Sequence, residues 1–145
     1  MNILITGASR GLGLNHTKIL SKSNKNKIII TDISEQASDA FSSKDRLNLK
    51  HILSKKNVSI IYGDLNKKGD VNNLFDKIKT IFKNKIDCII CNAGGDIPGN
   101  NNNAFGNKPK QNDYMISTEE FDQIFKRNFK NSMNILKKII PIMKK

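Results

Sequence analysis

The sequence predicts an α/β fold: a parallel sheet in the strand order 3-2-1-4, doubly wound by helices and truncated before a fifth strand. Three observations predict it. Short apolar runs alternate with longer amphipathic stretches along the chain. The short runs are almost continuously apolar, as strands buried on both faces are. Right-handed crossovers then leave few orders for four parallel strands.

Residues 2–6 form the first apolar run. Over 11–22, Leu12, His16, Ile19 and Leu20 recur at helical spacing. Residues 27–31 read as a second strand, and Leu47, Leu49, Ile52 and Leu53 suggest a helix near 42–55. A third strand covers 58–62. Val71, Leu74, Phe75, Ile78, Ile81 and Phe82 then repeat at i, i+3, i+4 and i+7, the mark of an amphipathic helix. Residues 86–91 give the fourth strand. The stretch 92–117 has no periodicity and holds the run Asn100-Asn101-Asn102-Asn103. A loop that long, at the carboxyl ends of the strands, either shapes access to a site or is low-complexity filler. Ser117-Thr118-Glu119-Glu120 is a capping box. It opens a long helix carrying Phe121, Ile124, Phe125, Phe129, Met133, Leu136 and Ile140, which Pro141 ends or kinks.

The 145 residues suit one domain, residues 1–145. A chain of this size can bury roughly 68–70% of its unfolded surface. Its apolar fraction of 37% is low, and a bias toward Lys and Asn runs through strands and helices alike, as a background substitution preference does. The net charge is +12. The lysines stand singly or in pairs (Lys55-Lys56, Lys67-Lys68, Lys137-Lys138, Lys144-Lys145) with little aromatic interleaving, which argues against nucleic acid as a partner. Such a charge speeds the arrival of an anionic ligand. No apolar run approaches the ~20 residues that span a bilayer. The first residues read as a strand and not as an export signal, so a cytoplasmic location is expected. Cys88 and Cys91 form C-x-x-C, but inside an apolar strand, where residues i and i+3 face opposite ways. They are expected to be two buried thiols, with no metal site.

The first strand runs into Thr6-Gly7-Ala8-Ser9-Arg10-Gly11-Leu12-Gly13, and a helix begins there. Gly7 suits the tight turn, Gly11 a close backbone approach to a pyrophosphate, and Gly13 close packing of helix on sheet. The helix N-terminus offers N–H groups and partial positive charge to phosphates. With a strand before and a helix after, this is the context of a Rossmann dinucleotide fingerprint. Asp32, 19 residues beyond Gly13, stands where a carboxylate accepts from both ribose hydroxyls of NAD and repels a 2′-phosphate. Arg10 points the other way, since a guanidinium beside Gly11 suits that phosphate. NAD is the expected cofactor, with NADP as the alternative.

These residues resemble the short-chain dehydrogenase/reductase family of the Thr-Gly-x-x-x-Gly-x-Gly type, and the resemblance covers essentially the whole chain. Three further motifs appear in order: Asp64-Leu65 after strand three, Asn92-Ala93-Gly94 after strand four, and Asn128 in the long helix. The resemblance implies that Gly7, Ser9, Arg10, Gly11, Leu12, Gly13, Asp32, Ile33, Asp64, Leu65, Asn92, Ala93 and Gly94 bind the cofactor. Asp64-Leu65 would flank the adenine, Asn92 would brace the sheet, and Ala93 and Gly94 would let the ribose lie close. Asn128 matches the family's catalytic asparagine, which holds a water for the proton relay. The implied reaction is hydride transfer between a nicotinamide and a small carbonyl or alcohol substrate, and a homo-oligomer is implied through the helix carrying Asn128.

The chain departs from the family pattern in two respects: the long segment between Gly94 and Ser117, and an absence. Family chemistry uses a Ser and a Tyr-x-x-x-Lys, whose Lys helps lower a tyrosine pKa that is ordinarily near 10. Only Tyr62 and Tyr114 occur, and positions 66 and 118 are Asn and Thr. The chain alone is therefore expected to bind the cofactor without turnover. The alternatives are a non-catalytic dinucleotide-binding remnant or sensor, and a fragment completed by a partner.

Overall fold

The computed structural model describes residues 1–35, 42–95 and 117–143. Tyr114, the Asn100–Asn103 run and nearly all of the loop expected over 95–117 lie outside the described residues.

Four strands, β1 (Asn2–Thr6), β2 (Lys27–Asp32), β3 (Val58–Tyr62) and β4 (Cys88–Cys91), form a parallel sheet in the order β3-β2-β1-β4. The expected order 3-2-1-4 is the observed one. Register sets Ile5 beside Ile30 and Ile90, and Ile30 beside Ile60. The helices are α1 (Gly11–Leu20), α2 (Ser43–Leu53), α3 (Lys68–Phe82), α4 (Thr118–Phe125) and α5 (Asn131–Met143).

Side chains alternate across the pleat and divide the core in two. Leu4, Ile29 and Ile61 face α3 and α5, meeting Leu74, Ile78, Ile135 and Ile139. Ile3, Ile5, Ile28 and Ile30 face α1 and α2, meeting Leu14, Leu49 and Ile52. Each fully buried Leu or Ile contributes about 1.5–3 kcal/mol of transfer free energy, so both helical layers are held chiefly by these aliphatic contacts.

Several expectations need correction. On α1, Leu12 and Ile19 are exposed, and the buried face is Gly13, Leu14 and Thr17. Gly13 on that face has no room for a side chain, because the helix start lies against the turn after β1. Cys88 is half-buried and Cys91 exposed, so the thiols are not enclosed. Among the described residues, strand β4 pairs only with β1. The long C-terminal helix is interrupted by a π turn over Lys126–Lys130, between α4 and α5. Pro141 does not end α5, which runs to Met143. A proline near a helix end removes one backbone donor, and the burial of Ile135 and Ile139 holds the segment in place.

Candidate functional site

The residues expected to bind the cofactor, together with Asn128, lie at the carboxyl ends of the parallel strands, on the turns and helix starts that follow them, or on the helical segment beside them. This is the side on which doubly wound sheets hold ligands.

In the turn between β1 and α1, Gly7 and Gly11 have φ of 61° and 54°. Gly13 packs so tightly that a Cβ there would lie 2.5 Å from the Gly7 carbonyl oxygen and 2.7 Å from Asn92 Nδ2. A Cβ on Gly11 would meet nothing within 4 Å, so its backbone faces open space. The Arg10 side chain makes no capping bond, and the first turn of α1 contains no acidic residue. By contrast, Ser42 caps α2 and Ser117 caps α4. The first turn of α1 thus carries its N–H groups and its positive end with no acidic residue of its own. Leu12, 71% exposed, lies on the open side of this turn.

Asp32 is the last residue of β2, paired with Tyr62 of β3. Its Oδ2 accepts from the Ser9 N–H at 3.1 Å and from the Ser9 hydroxyl. Its Oδ1 accepts from the Ile33 N–H at 2.8 Å, and the Ile33 side chain is largely exposed. A carboxylate oxygen offers about two lone pairs. Among the described residues, Oδ2 therefore takes two donors and is filled, while Oδ1 takes one. Partial burial, reinforced by the charges of Glu35 and then Asp32, raises the Tyr62 phenol above its ordinary value.

After β3, Asp64 Oδ1 accepts from the Asn66 N–H at 2.9 Å, and the Asp64 N–H donates to Asp70 Oδ2 at 2.8 Å. The Leu65 side chain is buried in the α3-side core, so this residue offers its main chain and not its side chain to the cleft.

After β4, the Asn92 and Ala93 N–H groups both donate to the Thr6 hydroxyl, at 3.1 and 3.0 Å, and Asn92 Nδ2 donates to the Gly7 carbonyl at 2.8 Å. Asn92 therefore ties the β4 loop to the β1 turn. Gly94 packs against Asn128, where a Cβ would collide with Oδ1. Asn128 sits within the π turn. Its Oδ1 accepts from the Gly95 N–H at 2.8 Å, and its Nδ2 donates to the carbonyls of Gly95 and Ile124, both at 2.9 Å. Both amide hydrogens are thus engaged by the main chain, and among the described residues Oδ1 takes a single donor. π turns insert one residue into a helix and often coincide with functional positions.

Sequence reasoning missed four contributors: Thr6, Asp70, Asn131 and Asn134. Thr6 stood inside the glycine motif, but its double acceptance depends on β4 lying beside β1. Asp70 reaches back six residues to Asp64, whereas Asn131 and Asn134 act on loops far away in sequence. Partial burial raises the Cys91 thiol, and a hydrogen bond with Ser132 partly offsets this. Among the described residues, no group of three or more His, Cys, Asp or Glu could hold a metal, and no helix is long and apolar enough to cross a membrane.

A family model described as short chain dehydrogenase matches residues 1–145. No curated protein matches the chain in sequence. Solved structures do match. A short-chain dehydrogenase/reductase from Saccharomyces cerevisiae is 22% identical with a TM-score of 0.72, over 99% of this chain and 49% of its own. A short chain dehydrogenase family protein from Francisella tularensis subsp. tularensis SCHU S4 is 25% identical with a TM-score of 0.66, over 98% of this chain and 46% of its own. The KRED1-Pglu enzyme is 22% identical with a TM-score of 0.73, over 99% of this chain and 52% of its own. The chain spans about half the length of these structures.

Proposed function

The chain belongs to the short-chain dehydrogenase family, and from that premise we propose that it forms the nicotinamide-dinucleotide-binding part of an oxidoreductase, over a domain of residues 1–145. The reaction proposed for the whole protein is hydride transfer between the nicotinamide and a small carbonyl or alcohol substrate. The observation that carries the reading is the glycine turn before α1. It combines an acid-free, side-chain-uncapped helix start with open space over Gly11. The N–H groups and the positive end of such a helix start suit a doubly charged pyrophosphate.

When bound, the dinucleotide supplies the hydride donor or acceptor. The chain's own residues bind and orient it. The N–H groups of the first turn of α1 receive the pyrophosphate, with Ser9, Arg10, Gly11, Leu12 and Gly13 forming the cradle and Gly7 its approach. Asp32 and Ile33 take the adenosine ribose. In the ligand-free geometry Oδ1 of Asp32 accepts one ribose hydroxyl, and a second must displace the Ser9 hydroxyl from Oδ2. The negative charge of Asp32 opposes a 2′-phosphate, which favours NAD over NADP. Asp64 and the main chain of Leu65 border the adenine, and Asn92, Ala93 and Gly94 keep the opposite wall low. Asn128 contributes by holding the β4 loop, and its remaining Oδ1 lone pair suits a water.

Binding is tested by thermal unfolding with NAD and with NADP. Ligand at about 100 times its dissociation constant stabilises a protein by roughly 2.7 kcal/mol. Stabilisation by NAD supports the reading, and no shift with either dinucleotide overturns it. A second reading, a dinucleotide sensor without turnover, draws on the absence of Tyr-x-x-x-Lys from residues 1–145. Incubation with NADH and a panel of ketones decides between them by whether NADH is consumed as alcohol forms. We also propose self-association through the C-terminal helical segment, where Phe121, Phe125 and Phe129 are exposed at four-residue intervals.

A further inference from the structure

Three asparagines of the C-terminal helical segment stand at i, i+3 and i+6, and each donates to a main-chain carbonyl of a loop at the carboxyl ends of the strands. Asn128 Nδ2 reaches Gly95 O at 2.9 Å, Asn131 Nδ2 reaches Ala93 O at 3.3 Å, and Asn134 Nδ2 reaches Leu65 O at 2.9 Å. The first two bonds hold the loop after β4, and the third holds the loop after β3. Those strands are the two outermost of the sheet, three spacings or about 14 Å apart. A helix advances ~1.5 Å per residue, so Asn128 and Asn134 stand roughly 9 Å apart along it, and the side chains at each end cover the rest. A three-residue step also lags a full turn by about 60°, which fans the three amides across the cleft instead of stacking them on one line.

The loop after β3 is otherwise held largely by itself. The Asp64 N–H goes to Asp70, the Asn66 N–H to Asp64 Oδ1, and the Lys67 N–H to the Asp64 carbonyl at 2.9 Å. The Leu65 side chain is anchored in the core, and the following peptide plane is held at its N–H end by Asp64 Oδ1, within the same loop. The bond from Asn134 ties the carbonyl end of that plane to the C-terminal helical segment. We propose that Asn134 is a positioning residue of the adenine side of the site: it sets the Asp64–Leu65 wall against the same helical segment whose Asn128 and Asn131 set the Ala93–Gly95 wall, so the two walls of the cleft keep one separation. This rests on the dinucleotide reading given above.

The experiment is calorimetric titration of the full chain, wild type and Asn134→Leu, with NAD, ADP-ribose and inorganic pyrophosphate. Pyrophosphate meets the α1 turn alone, whereas the other two also need the adenine wall. The expected result is a five- to ten-fold weaker affinity for NAD and ADP-ribose, with pyrophosphate unchanged and the donor-bearing Asn134→Gln recovering part of the loss. If Asn134→Leu does not fold, Asn134→Ser, too short to reach the carbonyl, gives the same reading. Unchanged NAD affinity, or an equal loss for all three ligands, overturns the positioning role. Wild-type protein that binds none of the three overturns the dinucleotide reading itself, and the inference with it.

Discussion

Ser9 and Asp32 are joined twice: the Ser9 main-chain N–H, at 3.1 Å, and the Ser9 hydroxyl both donate to the same carboxylate oxygen, Oδ2. One residue lies in the turn after β1 and the other ends β2. The link therefore fixes the glycine turn relative to the strand end where a ribose would lie, and it leaves Oδ1 as the readier acceptor.

Asp32→Asn tests the selectivity that follows. The substitution removes the charge that opposes a 2′-phosphate and weakens a charge-assisted bond. Such bonds contribute about 1.5–3 kcal/mol, so NAD affinity should fall roughly ten- to a hundred-fold while NADP affinity falls less or rises. Titration of both dinucleotides measures this. An equal loss for both would remove Asp32 from the selectivity argument.

The glycines of the turn separate folding from binding. A methyl on Gly13 meets the Gly7 carbonyl and the Asn92 amide, so Gly13→Ala should cost about 1–3 kcal/mol of stability in a urea melt. A methyl on Gly11 meets no protein atom. Gly11→Ala carries only the strain of a positive φ, about 1–2 kcal/mol, but it occupies the space left for pyrophosphate. It should abolish dinucleotide binding in a protein that still unfolds cooperatively.

Asn128→Asp keeps the shape and the acceptor for the Gly95 N–H, but it turns the donor toward the Gly95 and Ile124 carbonyls into a second acceptor. We expect faster amide exchange at Gly95 than in the wild type and weaker NAD binding, with Asn128→Ala milder. Exchange mass spectrometry over the β4 loop checks it. Unaltered exchange would mean that the π turn holds the loop without the asparagine.

The raised Tyr62 phenol gives an alkaline signature. The folded state holds this proton more tightly than the unfolded chain, chiefly through burial and then through Glu35 and Asp32. Its contribution is present in full below the ordinary tyrosine pKa near 10 and declines as pH rises from there toward the raised folded value. Urea unfolding between pH 9 and 11 should show a shallower decline in Tyr62→Phe than in the wild type. Identical slopes would show that Tyr62 is not the group involved.

Self-association through the exposed phenylalanines predicts that Phe125→Glu lowers the mass measured by light scattering. Phe125 and Phe129 stack with centroids 5.1 Å apart, so a charge at Phe125 should disturb both rings. A wild type that is monomeric throughout removes this interface.

Much of the fold was legible in the sequence, because parallel strands buried on both faces must be continuously apolar and helices covering them must repeat every three or four residues. The runs around Leu4, Ile29 and Ile61 and the stripe Val71-Leu74-Ile78-Phe82 carry that signal. The glycine motif was legible because Gly7, Gly11 and Gly13 answer local demands of a strand–turn–helix. Leu12 and Ile19 misled as core positions, since helical spacing does not say which side of a helix meets the sheet. The π turn at Lys126–Lys130 was not legible, since no local composition signal marks one extra residue in a turn.

The sequence by itself determined the strand and helix pattern, the parallel order 3-2-1-4 and the glycine turn, because each follows from local periodicity or from the handedness of a short connection. The tertiary structure alone decided that Thr6 receives two amides from the β4 loop, that Asp32 is shared with Ser9, and that Asn128, Asn131 and Asn134 grip loops more than thirty residues away in the chain. A hydrogen bond depends on distance and direction in space, and a polar residue in sequence does not announce which distant carbonyl the folded sheet will bring to it.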